Sequence, residues 1–487
     1  MENNEKNIKE KTVRGIFWSF SDVILNQGIQ FIIQLVLARL LIPEEFGVIG
    51  MITVFIAVSN TLIDSGFTNA LIREKNVSQV DYSTVFYFNL ISSIILYILL
   101  YFASPYISIF FNNYIIKSLL RVLALVLIIN SFGLIQRTIL TRNLDFKKQT
   151  IINSIASVIS GILAIILAII GWGVWALVVR MLFMQLIQAI LLCYINRWSP
   201  SIEFSINSFK KLFGFGWKLL ISSLIDTIYN NLYYLIIGKA YSATDLGYYT
   251  NAQKLRDVAS TSISTAIQKV TYPVLSNIKD NNDDLKYRYR KIIKASVYIT
   301  FPIMSGLAIV ATPLIILLFG EEWRESIIYF KILCLPGMLY PLHALNLNIL
   351  QVKGRSDLFL KLEIIKKVVG TILIIISIIS KTSIIGLIWV IVLNSFISYF
   401  INSYYSKYII DYSTFDQIKD ILPITVITVI MFLVTDSLGY FINLGDIFQI
   451  IIQVISGVLV YILSSKIFNI EEFNLILDMI KKLKRGK

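Results

Sequence analysis

A chain of 487 residues with 56% apolar and only 15% charged side chains, and a mean hydropathy of +0.73, cannot clothe a soluble surface. That takes about 25% charged residues. The net charge of +14 raises nucleic acid as a partner, but the basic residues sit in short loops between apolar runs, so an anionic membrane surface is expected and nucleic acid is not. Cys193 and Cys334 lie inside apolar segments and His343 stands alone, which argues against a disulfide scaffold and against a metal cluster.

The first fourteen residues are polar and the first apolar stretch is span-length, so no cleavable signal peptide is expected. Apolar runs follow at 15–38, 46–72, 82–103, 118–137, 150–170 and 173–195. Each can cross a ~30 Å hydrocarbon core as a helix. Past a polar linker a second set runs 211–238, 246–275, 289–311, 326–350, 358–379 and 384–406, and a last pair 421–440 and 447–467. Strands are excluded, because an open sheet edge in lipid leaves backbone groups unpaired. The fold class is therefore an all-α integral membrane protein of about 14 transmembrane helices. Two six-helix bundles are expected, residues 1–200 and 201–410, with 411–487 adding the final pair and a basic tail.

Lys and Arg crowd one set of loops, from Lys6, Lys9, Lys11 and Arg14 through Arg73, Arg137, Arg142 and Lys211 to Lys286 and Arg290. The opposite loops offer only Arg39, Lys117, Lys239, Arg324 and Lys381. That bias places both termini in the cytoplasm. In the tail, Ile470, Phe473, Ile476, Leu477, Ile480 and Leu483 recur at helical spacing before Lys481, Lys482, Lys484 and Arg485. An amphipathic helix on the inner leaflet is expected there, with a partner-docking helix as the other reading.

Self-comparison shows a duplication. Arg39 to Gly47 aligns with Lys239 to Gly247 at an offset of 200. The offset drifts only to 210 through the pairs Ala103 with Ala311, Pro105 with Pro313 and Leu140 with Leu350. Six helices per repeat insert both halves the same way up, with a site expected between them near the midplane.

The helices also carry polar stripes. Asp22, Asn26, Gln30 and Gln34 are spaced four apart on the first helix, and Lys218, Ser222, Asp226 and Asn230 on the seventh. Residues at that spacing share one helix face. Such an edge faces a watery cavity or serves as interhelical glue. Arg180, Lys218 and Lys254 lie deep within spans, whereas Arg121 and Lys331, near outer helix ends, are expected to snorkel. Lys269 sits near an inner end and reads the same way. The expected substrate cavity comprises Asp22, Asn26, Gln30, Arg180, Lys218, Asp226, Asn230 and Lys254. Asp64 and Asp226, carboxyls near mid-membrane, are candidate sites for a coupling ion. No cofactor and no metal are expected beyond H+ or Na+ in that role.

The turn Ala38-Arg39-Leu-Leu-Ile-Pro43-Glu-Glu-Phe46-Gly47 resembles the signature of the polysaccharide transporter family, as does Leu246-Gly247-Tyr-Tyr-Thr-Asn-Ala-Gln-Lys254-Leu with Pro273-Val-Leu-Ser276. The resemblance runs from about residue 10 to 440. It implies a V-shaped pair of bundles that opens to one side at a time and is not an enzyme. The implied substrate is an undecaprenyl-pyrophosphate-linked oligosaccharide, moved from the inner to the outer leaflet of a bacterial cytoplasmic membrane. Implied partners are that lipid-linked oligosaccharide, membrane lipids and other polysaccharide-assembly proteins. A multidrug exporter of the same superfamily would favour acidic and aromatic groups for its cationic drugs. A membrane saccharide polymerase would need a long outer loop, and no outer loop here exceeds about fifteen residues.

Overall fold

The computed structural model describes residues 18, 22, 25–276, 278–441 and 445–475, all helix, turn or loop. The expected charges Lys6, Lys9, Lys11, Arg14, Lys481, Lys482, Lys484 and Arg485, and the Lys269 side chain, lie outside what it describes. Eleven helical stretches among the described residues are long and apolar enough to cross a membrane. Among the described residues, the runs read from the sequence as spans are helical, some as one helix and some as two.

The chain folds as two compact units, divided between Gly247 and Tyr248. The first contains α1 (25–40), α2 (Pro43–Asp64), α3 (Phe67–Arg73), α4 (Gln79–Phe110), α5 (Ile115–Leu123), α6 (Leu125–Arg142), α7 (Phe146–Ile169), α8 (Val174–Asn196) and α9 (Ile206–Ala240). α10 (Ala243–Ser276) begins at its edge. The second continues with α11 (Asn282–Ile309), α12 (Ala311–Phe319), α13 (Ser326–Val352), α14 (Ser356–Ile379), α15 (Ile384–Tyr404), α16 (Ser406–Ile410), α17 (Thr414–Phe441) and α18 (Asp446–Ile467). α10 and α14 are not among the eleven; α14 carries Asp357, Lys361, Glu363, Lys366 and Lys367.

Within the first unit, α9 runs antiparallel along α2 from end to end. At one end the repeat-equivalent turns meet reciprocally. A Cβ built on Gly47 would overlap the Ala243 carbonyl, and one on Gly247 would overlap the Pro43 carbonyl. Each turn is capped in the same register. Glu45 accepts from the Ile42 backbone N–H at 3.1 Å, and the Ser242 hydroxyl donates to Asp245 at 2.7 Å while accepting from its backbone N–H at 2.9 Å. Halfway along, the Thr61 and Thr227 hydroxyls are hydrogen-bonded at 3.0 Å. At the far end Gly216 lies against Ser65 and Gly66 backbone to backbone, the Arg73 guanidinium stacks 4.3 Å over the Phe215 ring, and Lys211 pairs with Glu74 at 3.1 Å. Small residues allow this approach, the usual basis of helix association where lipid offers no hydrophobic drive.

The run 46–72 is not one helix. Ser65 and Gly66 both adopt left-handed backbone, with φ of 48° and 73°, and α3 restarts at Phe67. Left-handed backbone suits Gly66 and strains Ser65. Asp64 serves this break: its Oδ1 accepts from the Thr68 hydroxyl at 2.5 Å and from the Thr68 N–H at 3.3 Å.

The second unit is centred on a buried polar network. Asn346 Oδ1 accepts from Tyr289 Oη at 3.0 Å, Gln417 Nε2 at 3.0 Å and Ser406 Oγ at 3.1 Å, and its Nδ2 donates to Leu342 O at 3.0 Å. Tyr289, Asn346 and Gln417 are all fully buried, so one amide joins α11, α13, α16 and α17. Asn346→Leu would strip the acceptor from three buried donors. At about 1–3 kcal/mol for an unsatisfied group, several kcal/mol of stability should be lost. Thermal unfolding in detergent checks this, and a midpoint equal to wild type would remove the network's structural role.

Lys286 and Arg290, expected in a loop, lie with Lys294 on α11, which begins at Asn282. They tie α11 to its neighbours: Lys286 to Asp411 at 2.9 Å, Arg290 to Asp420 at 2.6 Å, and Lys294 to Glu471 at 2.8 Å and Glu472 at 3.0 Å. The hydrogen bond from Lys294 holds the Glu471 carboxyl below its ordinary range. The tail therefore does not begin as a helix lying free on lipid. Its described turn is docked, with Ile470 buried and Phe473 packed on the unit's core.

Candidate functional site

The first unit carries an open, polar-lined cavity of about 370 Å³ between α1, α6, α7 and α8. α1 and α7 run the same way: Thr150 Oγ1 donates to Trp18 O at 3.3 Å, and a Cβ on Gly161 would overlap Ile33 further along. This alignment brings Asp22 to Asn153 on the cavity wall.

A chain of hydrogen bonds crosses the wall. Arg137 donates to Gln188 Oε1 at 3.0 Å, Gln188 Nε2 to Asn153 Oδ1 at 3.2 Å, and Asn153 Nδ2 to Asp22 Oδ1 at 3.4 Å. Asn26 Nδ2 donates to the same Asp22 oxygen at 2.5 Å. Gln188 is buried and fixes the geometry, while Arg137 is exposed to the cavity within electrostatic reach of Asp22. Gln27, Gln30 and Gln185 complete the polar lining.

Three of the residues expected in the substrate cavity thus come together: Asp22, Asn26 and Gln30. The α9 stripe is placed on one face of that helix, with Lys218 and Asn230 exposed and Asp226 half-buried. Lys218 Nζ stands 5.9 Å from the centre of the neighbouring Trp217 ring. Arg180 is half-buried on α8, one and two turns before Met184 and Gln188 on the same face. Lys254 belongs to the second unit and is exposed. Of the candidate coupling sites, Asp64 is engaged by Thr68 at the α2–α3 break.

Arg137, Asn153 and Gln188 were not read from the sequence as site residues. Arg137 reads there as a loop charge, yet α6 continues to Arg142 and carries it more than a turn inside. Asn153 does fall in a four-residue period with Gln149 and Ser157, and Gln188 follows Gln185 three residues on, a signal in the sequence that could have found them. Arg121 departs from its expectation too. It does not snorkel outward; its Nε donates to Ser104 Oγ at 2.9 Å and its guanidinium lies 4.1 Å over the Tyr101 ring.

Lys331, the other expected snorkeller, lines an apolar cavity of about 660 Å³ in the second unit, between α11, α13, α15 and α17. Trp389, Phe396, Phe400 and Phe432 form much of its wall, and Asp436 joins Lys331 there.

Solved structures share this fold. One is the lipid II flippase MurJ in an inward closed conformation, with a TM-score of 0.75 at 18% identity, over 93% of this chain and 98% of that one. Another is an inward-facing multidrug resistance MATE family transporter of the MOP superfamily, with a TM-score of 0.60 at 17% identity, over 79% of this chain and 98% of the other. The class is thereby defined as an all-α, multi-pass membrane protein built on the transporter fold. Residues 36–328 match the model of the polysaccharide biosynthesis protein family, and the chain belongs to that family. Its relatives include the lipopolysaccharide biosynthesis protein WzxC of Escherichia coli (strain K12), 26% identical across 74% of this chain and 73% of that protein. The teichuronic acid biosynthesis protein TuaB of Bacillus subtilis (strain 168) is 26% identical across 72% and 73%.

Proposed function

We propose that this protein is a flippase that moves a lipid-linked oligosaccharide across a bacterial membrane for polysaccharide assembly. The observation that carries the reading is a hydrogen-bonded polar cavity lined by α1 and the candidate spans α6, α7 and α8 in a member of the polysaccharide biosynthesis protein family. Buried amides and charges in a membrane bundle are costly and mark the route of a polar cargo. The cargo's saccharide would enter the polar interior while its lipid stays in the bilayer.

In this reading the halves 1–200 and 201–410 are lobes related by the repeat, 411–487 is appended, and both termini face the cytoplasm. The two lobes would rock against each other to give alternating access. Arg180, Lys218 and Lys254 would attract the pyrophosphate of an undecaprenyl-pyrophosphate carrier, Arg by its fork and Lys as a point charge. Asp226 and Asp64 would hold a coupling H+ or Na+. Other polysaccharide-assembly proteins would receive the cargo at the outer face.

Reconstitution into proteoliposomes, with a membrane-impermeant glycan probe scoring leaflet movement of an undecaprenyl-pyrophosphate-linked saccharide, tests this. Protein-dependent movement is expected, reduced about tenfold or more by Arg180→Ala or Lys218→Ala if each ion contact contributes ~1.5–3 kcal/mol. Asp226→Asn is expected to flatten the pH dependence of the rate; full, pH-dependent transport in that variant would remove Asp226 from coupling. Efflux of small organic cations without glycan movement would turn the assignment to a drug exporter.

A further inference from the structure

We propose that the polar cavity of the first unit is a saccharide subsite, which takes one uncharged sugar residue of the cargo and rejects both its diphosphate and metal cations. The proposal rests on the flippase reading and assigns a part of the cargo to a place in the fold.

Charge comes first. Among the described residues the cavity is lined by one carboxylate, Asp22, and one guanidinium, Arg137, within electrostatic reach of each other. A diphosphate bound there would face Asp22. A sodium ion or a divalent cation would face Arg137, and Asp22 Oδ1 already accepts from Asn26 and Asn153. An uncharged ligand meets neither penalty.

Donor and acceptor chemistry comes second. Asn26, Gln27, Gln30, Asn153, Gln185 and Gln188 supply six amides, each carrying a donor and an acceptor side by side. Sugar hydroxyls both donate and accept, so neighbouring hydroxyls match an amide edge in two bonds. Arg137 donates only and Asp22 accepts only, which fixes an orientation. Asn26 Oδ1 is buried and accepts no hydrogen bond among the described residues. Gln30 and Gln185 form none there either, whereas Gln188 and Asn153 are locked to their neighbours. The wall is thus part preorganised frame and part open valence. Its volume of about 370 Å³ falls in the range of about 300–1,000 Å³ typical of small-ligand sites.

The test is saturation-transfer NMR on the full chain in nanodiscs. The probes are the methyl glycosides of neutral hexoses and N-acetylhexosamines, with inorganic pyrophosphate and sodium chloride as competitors. At least one glycoside should bind saturably, unaffected by pyrophosphate or sodium. Gln30→Ala with Gln185→Ala should weaken it about tenfold or more, the equivalent of ~1.4 kcal/mol, while Lys218→Ala leaves it unchanged. Thermal midpoints of the variants should match wild type, because neither glutamine holds a structural bond. Gln185→Asn, which keeps the amide, should retain part of the binding.

The proposal is overturned if no glycoside shows binding that the paired alanine variant removes. It is equally overturned if pyrophosphate or sodium is the ligand that the variant releases. Leaflet movement separates this from the flippase reading. A paired variant that moves lipid-linked glycan at the wild-type rate and KM sinks the subsite alone. Wild-type protein that moves none sinks the flippase reading, and glycoside binding still decides the cavity.

Discussion

Gly47→Ala and Gly247→Ala should each lower the thermal midpoint of the purified protein by several degrees and cut transport, although each adds one methyl group. The added carbon would overlap a backbone carbonyl, that of Ala243 in one case and Pro43 in the other, and a backbone cannot rotate away as a side chain does. Forcing extra volume into a packed contact costs about 1–3 kcal/mol, and more where backbone must shift. Gly28→Ala and Gly306→Ala are the controls, since a Cβ at either meets nothing within 4 Å. Alanine exceeds glycine in helix propensity by about 1 kcal/mol, so both controls should hold or gain stability. Unfolding followed by tryptophan fluorescence in detergent reads all four. Equal midpoints across the set would show that the two turns do not touch as described. The double variant should cost less than the sum of the singles, because the two turns share one contact.

The second large effect concerns the charge balance of the polar cavity. Arg137→Gln leaves Asp22 without its counter-charge, and Asp22→Asn leaves the guanidinium without its carboxylate. Either should slow leaflet movement about tenfold or more, since hydrogen bonds to charged groups contribute ~1.5–3 kcal/mol and each ~1.4 kcal/mol is tenfold in rate. The double variant restores neutrality and keeps amides at both positions, so it should recover most of the rate. Initial rates per reconstituted protein, normalised to the thermal midpoint of each variant, give the comparison. A double variant as slow as the slower single would mean that each charge touches the cargo itself.

The contrast between Asp22 and Arg137 shows what a sequence can disclose of such a site. Asp22, Asn26 and Gln30 repeat every fourth residue, and a period shared by a whole helix face survives in one dimension. Arg137 stands where an apolar run meets a charge, so length alone assigns it to a loop; only the continuation of α6 to Arg142 carries it inward. Gln188 and Asn153 become a pair because α7 and α8 pack together, which no local pattern encodes. The helices themselves are legible because lipid demands long apolar runs with every backbone group bonded inside the segment. The break at Ser65 and Gly66 has a local sign, a Ser-Gly pair of the kind that marks turns, which run length alone passes over. Lys286, Arg290 and Lys294 mark an end of a span in sequence, yet their acidic partners lie more than a hundred residues away.

The α2–α9 seam also bears on how the protein is made. α2 is complete at Asp64, but the helix that covers it ends only at Ala240. At about 5–20 residues per second of synthesis, α2 waits on the order of 10–35 s for its partner. Through that interval its small-residue face stands open to lipid, or to any other helix leaving the insertion machinery. A message cut after codon 200 would therefore yield an N-terminal fragment that inserts but never seals. Cuts placed after codon 247 would release a fragment carrying its own partner helix, and co-expressed halves divided there should reassemble where those divided at 200 do not.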